Sequence, residues 1–269
     1  YVDCGEPGND ERGQQTTGAD ANGHYWTNVV SSGNNDLYPG VSFPLIASDN
    51  TATSAAILVN TRFMSNGMAG GGGLTAPSAA LLGDLAIATA TQDYLFMEGF
   101  QDYNFITFTG LDPACGYRFH TFGSRVAEAE RTATFLFEGE NSWSGQQQMA
   151  GKGIGDGGYN GNNNKILESD IVFPDREGRI RCTIIKKNKS GMVHLNAMKL
   201  EQSSGIQSPN QHLPLQRITY GDFGETYHAT PGHQPVGADK SGNSWNDAPS
   251  AKSASNRTTA GTSIRRPHA

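Results

Sequence analysis

Alternation of period two runs through this chain and leaves little room for helix. In YNFITFTGL (103–111), Phe105, Thr107 and Thr109 oppose Ile106, Phe108 and Gly110, the pattern of a strand with two unlike faces. YRFHTFGSR (117–125) repeats it, with Tyr117, Phe119 and Thr121 on one side, and RTATFLFEG (131–139) does so again. AAILVNTRFM (55–64) reads as one apolar-rich strand. LLGDLAIATATQDYLFM (81–97) reads as strand over 93–97, after a helical turn over 78–83. RIRCTIIKKN (179–188) and GMVHLNAMKLE (191–201) read as a hairpin turning at 188–191. Turn signals at 155–164 and 175–178 separate further short strands. The chain carries 34 Gly in 269 residues, clustered with Asn in short runs, which favours turns over long helices. Roughly eight strands with close turn signals predict an all-β fold, a two-sheet antiparallel β-sandwich of the jelly-roll kind. About 200 residues suffice to bury its core. First and last strands of a jelly roll often pair, so VDCGE and HLNAMKL are expected neighbours.

The opening segment occurs twice. YVDCGEPGNDERGQQTTGADANGHYWTN starts at residue 1, and YGDFGETYHATPGHQPVGADKSGNSWND starts at residue 220. They align without a gap, Tyr1 on Tyr220, Asp3 on Asp222, Gly5-Glu6 on Gly224-Glu225, Gln15 on Gln234. The match continues with 18–20 on 237–239, Gly23 on Gly242 and Trp26 on Trp245. A repeat defines the folding unit. The expected organisation is a sandwich over 1–203, a linker over 204–215 and a C-terminal partial repeat over 216–269. SGIQSPNQHLPL within the linker is rich in Ser, Pro, Asn and Gln. The second copy is read either as the start of a repeat that breaks off or as a segment that docks on a neighbour by strand donation.

Net charge is −6 and the pI about 5.6. The basic stripe of a nucleic-acid surface is missing, and Lys186-Lys187-Asn188-Lys189 reads as a solvated turn. No apolar run approaches the roughly 18 residues of a membrane span. No signal peptide is present, so an exported protein would have had its signal removed or left out. Cys4, Cys115 and Cys182 lack zinc-site spacing. Cys4 and Cys182, in strand-like runs, read as buried free thiols. One disulfide stays open as an alternative.

VDCGEP with ADANGHYWTNV, LGDLAIATATQDYLF, ITFTGLDPACGYRFHTFGSR, GYNGNNN and HLNAMKLE together resemble a bacterial galactose-binding-like β-sandwich, over nearly all of 1–201. Such domains are often attached to secreted carbohydrate-active enzymes, SGNH-type esterases among them. The resemblance implies a jelly-roll accessory domain that binds carbohydrate. It names no sugar and carries over no ligand residues. Those relatives commonly hold an aromatic or aliphatic residue where this chain has Cys4.

A sugar site needs flat aromatic faces for the C–H surface of a pyranose, with amides, carboxylates or Arg for its hydroxyls. The loop 22–26 offers Tyr25 and Trp26, and the loop 159–164 offers Tyr159, Asn160, Asn162 and Asn163. Trp143 lies in the polar stretch ENSWSGQQQ (140–148). Arg125, close to Glu128, Glu130 and Arg131, reads as an ion-pair partner or as a fork for a uronate carboxylate. Trp26, retained as Trp245 beside a changed neighbour, also reads as a core plug. Asp3, Glu6 and Asp20 recur as Asp222, Glu225 and Asp239 and are candidate ligands for a structural Ca2+, with Asp10 in the same loop. Catalytic signatures are missing: there is neither a Gly-x-Ser-x-Gly elbow nor a Gly-Asp-Ser-Leu block. GDFG (221–224) matches VDCG (2–5) and is a strand start. His120 and His194 stand singly in strands.

The expectation is a secreted or cell-surface bacterial protein, not an enzyme, that binds a polysaccharide or other glycan as one module of a larger chain. Two alternatives stand beside it. One is an extracellular subunit self-associating through 216–269. The other is an accessory domain bracing an attached esterase or polysaccharide hydrolase.

Overall fold

A computed structural model describes residues 1–8, 12–32, 35–68, 72–97, 100–188, 191–203, 205, 220–222 and 245–247. The expected linker over 204–215 (apart from Gly205), most of the second copy and Asp10 lie outside the described residues, as does Lys189 of the cationic run. The chain divides into two compact units, Tyr1–Asn210 and Gln211–Ala269.

Among the described residues the first unit has fifteen short strands: β1 (Val2–Gly5), β2 (Thr27–Val30), β3 (Asp36–Leu37), β4 (Ser42–Ile46), β5 (Ala52–Val59), β6 (Phe63–Asn66), β7 (Tyr94–Met97), β8 (Tyr103–Thr109), β9 (Gly116–Phe122), β10 (Arg131–Glu138), β11 (Ser142–Ala150), β12 (Leu167–Glu168), β13 (Ile180–Lys186), β14 (Val193–Leu195) and β15 (Ala197–Ser203). They form a six-stranded sheet, β11-β10-β13-β8-β5-β4, a five-stranded sheet, β12-β9-β15-β1-β2, and a four-stranded sheet, β14-β7-β6-β3. All-β architecture is therefore observed, and the pairing is antiparallel except between β1 and β2. As expected, β1 pairs with β15, Val2 opposite Met198 and Asp3 opposite Ala197. Short helical turns at Ala79–Leu82 and Ala88–Thr91 precede β7.

The alternating residues meet in one core. Ile106 and Phe108 of β8, Phe135 and Phe137 of β10, and Ile180, Cys182 and Ile184 of β13 supply the six-stranded side. Val2 and Cys4 of β1 and Tyr117 and Phe119 of β9 supply the five-stranded side. Phe119 stacks on Phe137 at 4.1 Å between ring centroids and lies 5.0 Å from Phe108, tying the two sheets together. The four-stranded sheet adds Leu37, Phe63, Leu95, Met97, Val193 and Leu195. All three cysteines are buried and free.

Two strand expectations need correction. The stretch 55–64 is not one strand. It breaks at 60–62, so that β5 joins the six-stranded sheet and β6 the four-stranded one. Thr61 and Asn60 turn their side chains onto β8 at the break, Thr61 accepting the Phe105 N–H and Asn60 bonding Thr107. Nor do 179–188 and 191–201 make a hairpin. β13 pairs with β10 and β8, β14 with β7 and β15 with β9 and β1. Both segments carry core residues, and consecutive strands of a sandwich satisfy that by changing sheet. Asn196, between β14 and β15, holds that junction. Its amide donates to the Thr91 and Asp93 carbonyls and accepts the Ser124 N–H.

In the second unit, β16 (Tyr220–Asp222) and β17 (Trp245–Asp247) pair in parallel, Tyr220 opposite Trp245. In the first unit the same parallel register sets Val2 opposite Thr27. The aligned positions of the two copies thus occupy equivalent places in their strand pairs.

Candidate functional site

A groove of about 730 Å3 lies between the β4–β5 hairpin, the 110–112 turn and β15. Its apolar lining includes Val2, Leu45, Leu111 and Tyr117, all buried. Its rim is polar: Ser48, Thr53 and Ser54 on one side, Lys199, Glu201 and Gln202 on the other, Asp112 at one end and Tyr1 at the edge. Concavities of this size suit small ligands, about 300–1,000 Å3 being usual.

Local sequence explains the walls. Gly110 has φ +67, and a Cβ there would stand 2.1 Å from the Ser54 carbonyl oxygen. Only glycine lets the chain leaving β8 pass so close to β5. The Ser54 hydroxyl donates to the Gly110 carbonyl (2.8 Å), and the Thr53 hydroxyl to that of Leu45 (2.6 Å). The Asp112 N–H donates to the Tyr117 hydroxyl oxygen at 2.9 Å. Lys199 and Glu201 project from the same face of β15, two residues apart.

A charged ladder fixes the β15 side. The Lys199 Nζ donates to Asp84 Oδ2 at 3.0 Å and pairs with Glu201 Oε1 at 2.7 Å. Glu201 Oε2 lies 3.2 Å from His120 Nε2. The Tyr1 hydroxyl donates to Asp84 Oδ2 at 3.0 Å. Burial acts to lower the Lys199 ammonium, but its bonds to Glu201 and Asp84 outweigh this and hold it above the ordinary range. Hydrogen bonds from Lys199 and Tyr1 hold Asp84 below the usual carboxylate range. The Lys199 bond does the same for Glu201. Burial, then the bond to Asp84, pushes the Tyr1 phenol up to about 12. The rim thus presents fixed charge of both signs beside an apolar floor.

The expected site residues scatter. Tyr25 is half-buried, and its N–H donates to the Ser48 carbonyl at 3.0 Å, which places its backbone beside the groove rim. Trp26 is only 3% exposed. Its Nε1–H donates to Asp20 Oδ2 at 2.7 Å, and its ring packs on Leu82, Leu85 and Phe122. It is a core plug and offers no face to a sugar. Tyr1, stacked on His24 at 4.6 Å and 5.0 Å from Trp26, is the aromatic that reaches the groove. Trp143 is half-buried against Phe137, 6.2 Å away, on the edge strand β11.

The asparagine loop turns inward. Asn162 is 2% exposed. Its Nδ2 donates to the Gly123 and Lys165 carbonyls and its Oδ1 accepts from Asn164 and Lys165. Asn160 accepts the Gly153 N–H, and Asn163 accepts from and donates to Asp156. Tyr159 packs beside the Trp26 cluster, its phenol pushed up by burial. These amides close their own loop. The loop buttresses 123–127: the Ala127 N–H donates to the Asn160 carbonyl, and Arg125 and Asn162 both donate to that of Met149. Arg125 and the Asn loop are therefore neighbours, distant in role from the groove.

The expected calcium ligands do not converge. Asp20 accepts the N–H groups of Asn22 and His24 besides that of Trp26. Asp3, 1% exposed, accepts the Thr16 N–H at 2.7 Å, and Glu6, 2% exposed, accepts the Ser65 hydroxyl at 2.9 Å. Among the described residues no group of three or more His, Cys, Asp or Glu side chains is arranged to hold a metal ion. The acidic repeat positions serve as hydrogen-bond acceptors inside the fold.

Tyr1, Asp112, Lys199 and Glu201 carry the groove but were not among the sequence candidates. One signal was available. Lys199 and Glu201 flank Leu200, two charges at the spacing of one strand face, which marks a charged face.

No protein-family model matches the chain, and no curated protein matches it. Among solved structures, the chain is similar to one described as TmCBM61, a carbohydrate-binding module, in complex with β-1,4-galactotriose. The identity is 12% and the TM-score 0.29, over 52% of this chain and 88% of that one. Among the described residues no helix is long and apolar enough to cross a membrane.

Proposed function

We propose that the protein is a non-catalytic carbohydrate-binding module that holds a short saccharide in the groove between the β4–β5 hairpin and β15, acting outside the cell as part of a larger chain. One observation carries this reading: a groove of about 730 Å3 joins an apolar floor to a rim of hydroxyl, carboxylate and ammonium groups. A pyranose needs that pairing, because its C–H face must leave water while its hydroxyls keep hydrogen-bond partners. The Lys199–Glu201 ladder is fixed before any ligand arrives, which lowers the ordering cost of binding.

The test is electrophoresis through gels containing galactan, pectin, xylan or mixed-linkage glucan, followed by calorimetry on the best oligosaccharide. Retardation by at least one neutral polysaccharide is expected. Lys199→Met is expected to weaken binding about tenfold, the loss of one charge-assisted hydrogen bond. Asn163→Ala, in the loop that closes on itself, leaves affinity unchanged. Binding that persists in full in Lys199→Met would place the sugar elsewhere.

A further inference from the structure

Two buried amides grip the loop over 161–166 from beneath. Gln147 of β11 is 4% exposed and Asn162 is 2% exposed. The Gln147 Nε2 donates to the Lys165 and Thr121 carbonyls, both at 3.1 Å, and its Oε1 accepts the Gly123 N–H at 3.0 Å. Asn162 donates to the same Lys165 carbonyl at 2.8 Å and accepts the Asn164 and Lys165 N–H groups. Amides so fully engaged fix backbone and have nothing left for a ligand. The main chain of 164–165 is thereby bonded from the inside. Among the described residues, the Asn164 amide and the Lys165 ammonium take no such part.

Those two side chains line a second groove, about 520 Å3 in volume, which shares no lining residue with the first. Alternation along β11 buries Gln147 and exposes Gln146 and Gln148, and both of these line the same groove. Glu130 and Lys187 complete its polar lining. They lie 3.8 Å apart, and Glu130 also accepts the Thr132 hydroxyl at 3.1 Å, so that pair is set in place. Half-buried Ile166 and Leu167 supply apolar surface, each packed from behind, Ile166 on the Trp26 cluster and Leu167 on the main core. Amides donate and accept, the ammonium donates and the carboxylate accepts. Sugar hydroxyls do both, and a sugar ring also brings a C–H face to aliphatic surface.

We propose that this second groove binds a saccharide through Gln146, Asn164 and Lys165, so that one domain holds two stretches of glycan. Two grooves on one unit raise retention on a polymer beyond what either gives alone. The inference rests on the glycan-binding reading, but it uses none of the first groove's residues.

The full chain is titrated by calorimetry and by amide NMR with tetrasaccharides of β-1,4-galactan, xylan and mixed-linkage glucan, and with polygalacturonate. At least one neutral tetrasaccharide is expected to bind twice per chain and to shift the Gln146 and Asn164 side-chain amide resonances. The double variant Gln146→Ala with Lys165→Met is expected to weaken one of the two sites about tenfold, the loss of two hydrogen bonds. Its melting temperature should stay at the wild-type value, because both side chains are exposed. Lys199→Met should weaken the other site and leave the amide shifts intact. A single site per chain that the double variant leaves at wild-type affinity overturns the second groove, and so does a second site that survives the double variant. Binding confined to polygalacturonate and erased by high salt is ion exchange on lysines and overturns it as well. The two readings fail apart. Binding lost in Lys199→Met, with silent Gln146 and Asn164 amides, sinks the second groove alone. Binding lost only in the double variant sinks the first groove alone, and failure of every probe sinks both.

Discussion

Trp26 illustrates what a retained residue can mean. With Asp20 and Gly23 it closes one turn: Asp20 accepts three N–H groups, and Gly23 takes φ +83. All three residues recur in the sequence of the second copy. Trp26→Phe keeps the ring and removes the donor. It is expected to cost about 2 kcal/mol, the value of a hydrogen bond to a charged acceptor, read as a lower urea midpoint at unchanged slope. Another residue effect lies at Asp93. Burial and then the Asp3 charge push its carboxyl up, and burial does the same for Asp3. The native protein therefore holds protons that the unfolded chain has released above about pH 4. Stability is full below that and falls as pH rises through the raised native values. Asp93→Asn is expected to flatten this slope and to raise the melting midpoint at pH 8 by about 3–6 °C. A wild-type midpoint that climbs between pH 5 and 8 would contradict the assignment. Gly5 and Gly13 wrap this carboxyl, since a Cβ on either would lie within 2.5 Å of it. Both recur in the second copy, Gly13 as Gly232.

Elements were legible where the pattern is local. The alternation in 103–111 and 117–122 separates two faces in each strand, and the structure buries the face with Ile106 and Phe108 in one and with Tyr117, Phe119 and Thr121 in the other. The break at 60–62 was not legible, because Asn60 and Thr61 fit an apolar-rich strand as well as a crossover. Glycines separate the two kinds of information. At Gly23 nothing lies within 4 Å of an added Cβ, so Gly23→Ala pays only for the left-handed backbone, about 1 kcal/mol. At Gly110 the same φ class is joined to a 2.1 Å approach to Ser54. Gly110→Ala is expected to cost about 3 kcal/mol or more and to splay the groove wall. Denaturant unfolding of the pair checks the ordering, which would fail if the two losses were equal.

At the scale of the whole molecule, β16–β17 pairs in the register of β1–β2, and the two readings of 216–269, an opening of a second copy and a donated strand, part in solution. Light scattering is expected to give monomers for both the full chain and a version ending at Ser203, and the shorter chain should keep its melting transition. Assembly of the full chain alone would favour self-association through 216–269. The sequence by itself determined the all-β class, the two-faced alternation of the long strands and the β1–β15 neighbourhood, because side-chain alternation and turn chemistry are properties of adjacent residues. Only the tertiary structure decided that strands 179–188 and 191–201 part to different sheets. It alone turned the Asn loop inward and Asp20 toward Trp26. The groove gathers Tyr1, the 45–55 hairpin, the 110–117 turn and β15. Such sites exist only once sheet order and register bring distant segments into contact, and no local pattern in the chain encodes that distance.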